Sequence, residues 1–301
     1  MNNSQQRVFT SPLALCRDYL ELCKLRVVAV MLLTAIVGMC LATPEFPPIV
    51  TLISATLGIG LMASGAAAVN HVMDRNIDAK MARTHRRPLP QGKIDETRAL
   101  LFAAFLSLSG ITVLILWTNL LTAWLTLGAL IGYALIYTML LKRATPLNIV
   151  IGGIAGAAPP LLGWVAVTGR IEPDSLLLVL IIFAWTPPHF WALCIHKKDD
   201  YARAGVPMLP VTHGERYTRL QILLYTVLMV LTTLFPFMTG MSGLIYLMGV
   251  TLLNLRFFQW AVRVYLANDS SAPMSMFWFS VKYIMWLFVV LLVDHYVIGL
   301  H

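Results

Sequence analysis

Apolar runs long enough to cross a bilayer recur nine times along this chain, at about 25–43, 48–70, 98–117, 121–140, 147–168, 174–195, 218–238, 242–262 and 277–298. A membrane helix needs roughly 20 such residues, and only helices or closed barrels satisfy every backbone group in lipid. The fold class that follows is an all-α integral membrane protein of nine transmembrane helices. Composition agrees: 58% of residues are hydrophobic and 12% charged, against about 25% charged in soluble domains, and the mean hydropathy is +0.77. A soluble enzyme, a disordered chain and a nucleic-acid-binding domain are excluded. The net charge of +8 therefore records topology, not a nucleic-acid partner. Cys16, Cys23, Cys40 and Cys194 form no CxxC pair, which speaks against a disulfide framework or a zinc site.

The basic residues orient the spans. All but Arg170 of the 22 Lys and Arg residues fall on the N-terminal segment or on alternate joints, those between spans 2–3, 4–5, 6–7 and 8–9. By the positive-inside rule these joints and the N-terminus face the cytoplasm, and nine spans place His301 on the opposite side. Residues 1–24 are polar, carry Asp18 and Glu21, and lack the apolar core of a cleavable signal. They read as a cytoplasmic segment ahead of a single membrane domain over residues 25–298. The long polar stretches, about 71–97 and 196–217, both lie on the cytoplasmic side, and loops of that length are usually functional. Spans 2 and 6 both end in mixed acidic and basic clusters, a weak echo that suggests a duplicated four-helix unit plus a ninth helix. Small residues at Gly58, Gly60, Ser64 and Gly65, and the Gly152-xxx-Gly156 spacing, are expected to let helices approach closely.

At the end of span 2, Asn70, Asp74 and Asp78 recur every four residues. On a helix they stack on one face, successive groups about 6 Å apart, and the two carboxylates repel unless a cation lies between them. Oxygen ligands of this kind suit Mg²⁺, which binds through one or two carboxylates plus substrate phosphates. Lys80, Arg83, Arg86 and Arg87 follow and can hold phosphate oxygens. Together they describe a diphosphate site. The alternative is that Asp74 and Asp78 pair with Arg75, Lys80 or Arg83 at a solvated helix end.

A second cluster closes span 6: Pro187, Pro188, His189, His196, Lys197, Lys198, Asp199, Asp200 and Tyr201. His189 and His196 share a helix face if the two prolines lie at or before the helix start. The cluster is either a second wall of the same site, lysines toward phosphate and acids toward the metal, or a basic flank with local salt bridges. His189 can ligate a haem iron, take part in proton transfer, or simply pack. His71 and His85 are weaker candidates. Tyr133 and Tyr137, one turn apart, can stabilise a carbocation with their rings or pack.

Taken in order, these motifs resemble the UbiA superfamily of intramembrane prenyltransferases, and within it the haem O synthase branch. Asn70-xxx-Asp74-xxx-Asp78 matches the superfamily's first acidic motif. Arg83-Thr-His-Arg-Arg87-Pro-Leu-Pro is similar to that branch's RTxxRPL element. Tyr137 through Lys142-Arg143, Asn148 and Gly152 to Pro159-Pro160 is similar to its central signature, and Pro188-His189 with Asp200-Tyr201 and Ala204 to Pro210 to its third. The likeness runs from about residue 20 to 215. It implies a UbiA-like helical bundle that transfers farnesyl from farnesyl diphosphate to the 2-vinyl group of haem B, a substrate rather than a cofactor, giving haem O. It further implies catalytic Asn70, Asp74 and Asp78, with Mg²⁺ on Asp74 and Asp78. Arg83, Arg87, Lys142, Arg143 and Lys198 would serve the diphosphate, and His189, Asp199, Asp200 and Tyr201 would form the second motif. The implied setting is the inner (plasma) membrane with the site toward the cytoplasm, and the candidate partners are haem A synthase or oxidase assembly factors. Many quinone-pathway relatives carry DxxxD in the second motif, whereas Lys197 and Lys198 stand there in this chain. That departure agrees with the haem branch. Prenylation of an aromatic quinone precursor and transport of an anionic lipid or metabolite are the rival readings.

Overall fold

The computed structural model describes residues 12–266 and 269–298; Arg7, His301 and the first 11 residues of the N-terminal segment lie outside them. The described elements are α1 (Pro12–Leu22), α2 (Leu25–Leu41), α3 (Ile49–Asp78), α4 (Glu96–Trp117), α5 (Leu120–Ile131), a π-helix (Gly132–Leu141), α6 (Lys142–Ala144), α7 (Asn148–Ala157), α8 (Pro159–Thr168), α9 (Pro173–His196), α10 (Lys198–Arg203), α11 (Leu209–Thr212), α12 (Gly214–Thr232), α13 (Phe235–Met238), α14 (Leu244–Leu266) and α15 (Ala272–Ile298). Eight helical segments are long and apolar enough to cross a membrane. Among the described residues α1 and α2, bent 51° at their join, pass the same test only as a pair and make a ninth span if counted as one. Each expected span coincides with one of these segments, and the chain is a multi-pass membrane protein.

Packing divides around α2. Val37 and Leu41 enter one apolar cluster with α9, α12, α14 and α15, while Ala35 and Met39 enter another with α3, α4, α5 and α8. The α2–α8 contact depends on two glycines. A Cβ on Gly163 would fall on the Ala35 carbonyl, and one on Gly38 on the Pro160 carbonyl. Gly58 and Gly65 allow the expected close approach of α3 to α4, against Leu114 and Ser107. Of the Gly152-xxx-Gly156 pair, Gly152 faces Tyr137 and Gly156 meets nothing within 4 Å, so that spacing is not a helix-packing motif.

Two sequence expectations are corrected on one side of the bundle. The expected loop at 71–97 begins as helix, because α3 runs on to Asp78. The 196–217 stretch contains α10, α11 and the start of α12. Pro187 and Pro188 lie inside α9, not at its start. Neither proline can donate to the Phe183 or Ala184 carbonyl four residues back, a loss that helices inside a membrane bundle tolerate.

On the opposite side the joints are fastened by side chains from distant parts of the chain. Asn119 accepts from the Thr122 amide at 2.9 Å and donates to the Val165 carbonyl at 2.8 Å. Asp294, 1% exposed, accepts from the Gly243 and Tyr246 amides at 2.6 and 2.8 Å. His295 reaches the Thr43 carbonyl at 3.0 Å.

Gly163→Ala is expected to destabilise the bundle by about 1–3 kcal/mol, the usual cost of overpacking, because the Ala35 backbone cannot retreat. Gly156→Ala should leave the unfolding midpoint in detergent unchanged or slightly raised. Equal midpoints for the two variants would mean that the α2–α8 contact is not tight.

Candidate active site

The 3.6-residue repeat carries Asn70, Asp74 and Asp78 down one face of α3, and each is about 3% exposed. Two carboxylates this deep demand compensation, and a different segment supplies it for each member of the face. Lys24, at the bend between α1 and α2, donates to Asn70 Oδ1. Lys142, just beyond the π-helix, donates to Asp74 Oδ2 at 2.6 Å. Arg87, from the loop after α3, donates to Asp78 Oδ2 at 2.7 Å. Asn70 also donates to Asp74 Oδ2 at 2.8 Å and to Thr138 Oγ1 at 3.1 Å. The pairing of Asp74 and Asp78 with Arg75, Lys80 or Arg83 does not occur; Arg75 pairs with Glu96 instead.

Lys24 was not among the expected site residues. It is the one described non-glycine residue with positive φ, at +50°, a conformation uncommon outside glycine. That backbone turns the chain between α1 and α2 and aims the ammonium inward. Its sequence signal is only its place immediately before an apolar run.

The π-helix builds the adjoining wall. Thr138 donates its hydroxyl to the Tyr133 carbonyl five residues back, at 2.8 Å, within a segment whose π register differs from that of an α-helix. Such insertions concentrate at functional sites. Here the register brings Thr138 to Asn70 and Lys142 to Asp74. Tyr133 and Tyr137 stack, with centroids 5.7 Å apart and planes 21° from parallel. A Cβ on Gly152 would fall on the Tyr137 ring, so this glycine gives the ring its place.

The second cluster contributes less than its sequence suggests. Asp200 pairs with Arg203, Lys198 with Glu215 at 3.5 Å, and Asp199 is exposed. These are local salt bridges. Among the described residues, no three His, Cys, Asp or Glu side chains converge as a metal site, at this cluster or elsewhere. Tyr201 does join the site, since it is 4% exposed and lies within electrostatic reach of Arg83 and Arg87. Burial pushes its phenol well above the usual range, while the guanidinium pulls the other way; it is a neutral hydrogen-bonding group. The Arg143 side chain lies outside what the structure describes. His189 and His196 do not act as a pair, for His196 is exposed at the end of α9.

Two groups beside the acidic face have no partner. Asp74 Oδ1 is buried without a hydrogen bond, and so are both ring nitrogens of His71. A buried carboxylate oxygen left open is costly and marks a place for a ligand. With Asp78 and Asn70 nearby the donor set is all oxygen, as Mg²⁺ prefers, so the residues fit that ion.

Comparison with known proteins agrees with this geometry. The model of the UbiA prenyltransferase family matches residues 31–289. This chain belongs to the UbiA prenyltransferase family. A protoheme IX farnesyltransferase of Saccharophagus degradans is 59% identical over 282 residues, 94% of this chain and 93% of that protein. Among solved structures, a digeranylgeranylglyceryl phosphate synthase superposes with a TM-score of 0.78 at 18% identity, covering 94% of this chain and 99% of the other. A UbiA homologue from Archaeoglobus fulgidus bound to GPP and Mg²⁺ superposes at 0.67 and 16% identity, covering 91% and 99%. At such identities the structures share the fold, a UbiA-like helical bundle.

Inorganic diphosphate with Mg²⁺ should raise the unfolding midpoint of the purified protein, since a ligand bound only to the native state stabilises it. Asp74→Asn is expected to abolish that rise while the protein stays folded. A midpoint rise of the same size in the variant would remove Asp74 from the site.

Proposed function

We propose that this chain transfers the farnesyl group of farnesyl diphosphate to the 2-vinyl group of haem B, giving haem O and diphosphate. The observation that carries it is the buried Asn70–Asp74–Asp78 face neutralised by Lys24, Lys142 and Arg87. It occurs in a chain 59% identical to a protoheme IX farnesyltransferase. A transporter places its binding groups near the midplane; here the charges gather at one end of the bundle, which favours an enzyme.

Each cation is held by a motif residue until an anion arrives. The diphosphate then takes over Lys24, Lys142 and Arg87, which frees Asp74 and Asp78. Those carboxylates, with Asn70, would hold Mg²⁺, which when bound supplies positive charge to the leaving diphosphate. Arg83, near Tyr201, adds to the same clamp, and Arg143 and Lys198 are the further basic candidates for the diphosphate. As the allylic carbon–oxygen bond breaks, the bonding electrons leave with the diphosphate, where the three cations stabilise the developing charge. Tyr133 and Tyr137 present ring faces to the allylic cation. The apolar walls keep water out until the vinyl carbon has bonded to the farnesyl C1. Water then adds to the resulting cation and loses a proton, leaving the hydroxyl.

The whole of residues 25–298 serves as one domain in this scheme. The basic joints support a site at the cytoplasmic face with the N-terminus on the same side, which fits the inner membrane. A haem-modifying enzyme such as haem A synthase, or an oxidase assembly factor, is the natural recipient of the product.

Purified protein incubated with haem B, farnesyl diphosphate and Mg²⁺ should yield a hydroxyethylfarnesyl haem by mass spectrometry, and EDTA should stop it. Folded protein that leaves haem unmodified but prenylates an aromatic acid would move the assignment to the quinone branch. Lys24→Met should raise the KM for farnesyl diphosphate about 10- to 100-fold, the loss of one charge-assisted hydrogen bond of about 1.5–3 kcal/mol. An unchanged KM would leave Lys24 a purely structural residue.

A further inference from the structure

Haem iron is commonly held through an imidazole nitrogen, and the described histidines differ sharply in what their rings can do. His295 is tied to the Thr43 carbonyl on the side opposite the acidic face. His71 is 1% exposed, with no open edge. His85 bonds the Ala82 carbonyl on an exposed loop, and His213 bonds the neighbouring Thr212 hydroxyl. His189 is built differently. Its ring lies between Trp185, with centroids 4.2 Å apart and planes 15° from parallel, and Phe277 of α15, at 4.6 Å and 22°. Both faces are covered, yet the residue is only partly buried.

The proton on this ring can be assigned. His189 Nδ1 lies 2.5 Å from Ser280 Oγ, and the same oxygen lies 2.6 Å from the Phe277 carbonyl. A carbonyl has no proton to give, so at that separation the Ser280 hydroxyl must donate to it. A hydroxyl has one proton. Ser280 Oγ is therefore the acceptor from His189, and the ring is held as the Nδ1–H tautomer. The lone pair resides on Nε2, at the edge away from Ser280. Ser280 also accepts from Trp185 Nε1 through its backbone carbonyl at 3.0 Å, so one residue of α15 fixes both rings of α9. An imidazole whose Nδ1–H is held by a partner while Nε2 is open is the usual arrangement of a metal-binding histidine.

Depth agrees. His189 lies seven residues before the end of α9 and Asn70 eight before the end of α3, so each sits about 10–12 Å below the same side of the bundle at 1.5 Å per residue. We infer that His189, held by Ser280, binds the iron of the porphyrin substrate through Nε2, at the level of the acidic face. This rests on the haem reading of the reaction.

The test is optical and vibrational, apart from turnover. Protein purified in detergent is titrated with ferric haem B, then reduced, and its iron–histidine stretch recorded by resonance Raman. His189→Ala should lose that stretch and bind haem at least tenfold more weakly, while binding metal-free protoporphyrin IX as the wild type does. Imidazole added to His189→Gly should restore a nitrogen-ligated spectrum. Ser280→Ala should keep the ligand but shift the stretch, because Nδ1–H has lost its acceptor. If the His189 variants fail to fold, the Ser280→Ala frequency decides, and no shift overturns the inference. A His189→Ala spectrum identical to wild type, in protein that still farnesylates haem, overturns the iron assignment alone. Wild type that binds no haem overturns both it and the proposed reaction.

Discussion

Two carboxylates buried on one face of a membrane helix set the terms for the rest of this molecule. Their cost in a low-dielectric interior is large unless each is paired, and the chain meets it by bringing in cations from three separated places. Lys24 comes from the bend before α2, Arg87 from the loop after α3, and Lys142 from beyond the π-helix. Most of the unusual local structure serves these contacts. The positive φ at Lys24 turns its ammonium inward, the π register delivers Thr138 and Lys142, and the missing side chain at Gly152 seats Tyr137 beside them. Deviations from regular helix are thus concentrated around one set of charges.

The same set explains how a charged site forms before its substrates arrive. In the proposed reaction Lys142 and Arg87 act first as counter-ions to Asp74 and Asp78 and then as phosphate ligands, while Lys24 rests on the Asn70 amide. Arginine suits the part because its planar fork serves carboxylate and phosphate equally. The second acidic cluster follows another logic. Asp200 and Lys198 are taken up by Arg203 and Glu215, and α10 contributes through the buried Tyr201.

Much of this was legible in the residues. Span number and position followed from apolar run length, and the shared face of Asn70, Asp74 and Asp78 from their spacing of four. Helix ends were less legible. Polarity marks where a span leaves lipid, but α3 continues to Asp78 because its polar face has partners inside the protein. The residues left open whether a helix starts at Pro187 and Pro188, and α9 passes through both. Lys24 was missed because a lysine ahead of an apolar run normally records topology alone, and nothing local distinguishes one that turns inward. The π register was also hidden, since its residues are as apolar as those of any membrane helix and only the contacts to Thr138 and Lys142 reveal it. The bond between Ser280 and His189 spans 91 residues, beyond the reach of any local pattern.

The fastenings on the far side lend the bundle a gradient of stiffness. Asn119, Asp294 and His295 join segments 46, 48 to 51 and 252 residues apart, mainly through bonds to backbone groups that no ligand contests. At the charged end the bonds run between side chains, and an incoming anion can exchange them one at a time. Work done on a substrate there can reshape the mouth while the closed end keeps its geometry. The far side is thus the more firmly tied, and the charged end the one whose contacts a ligand can replace.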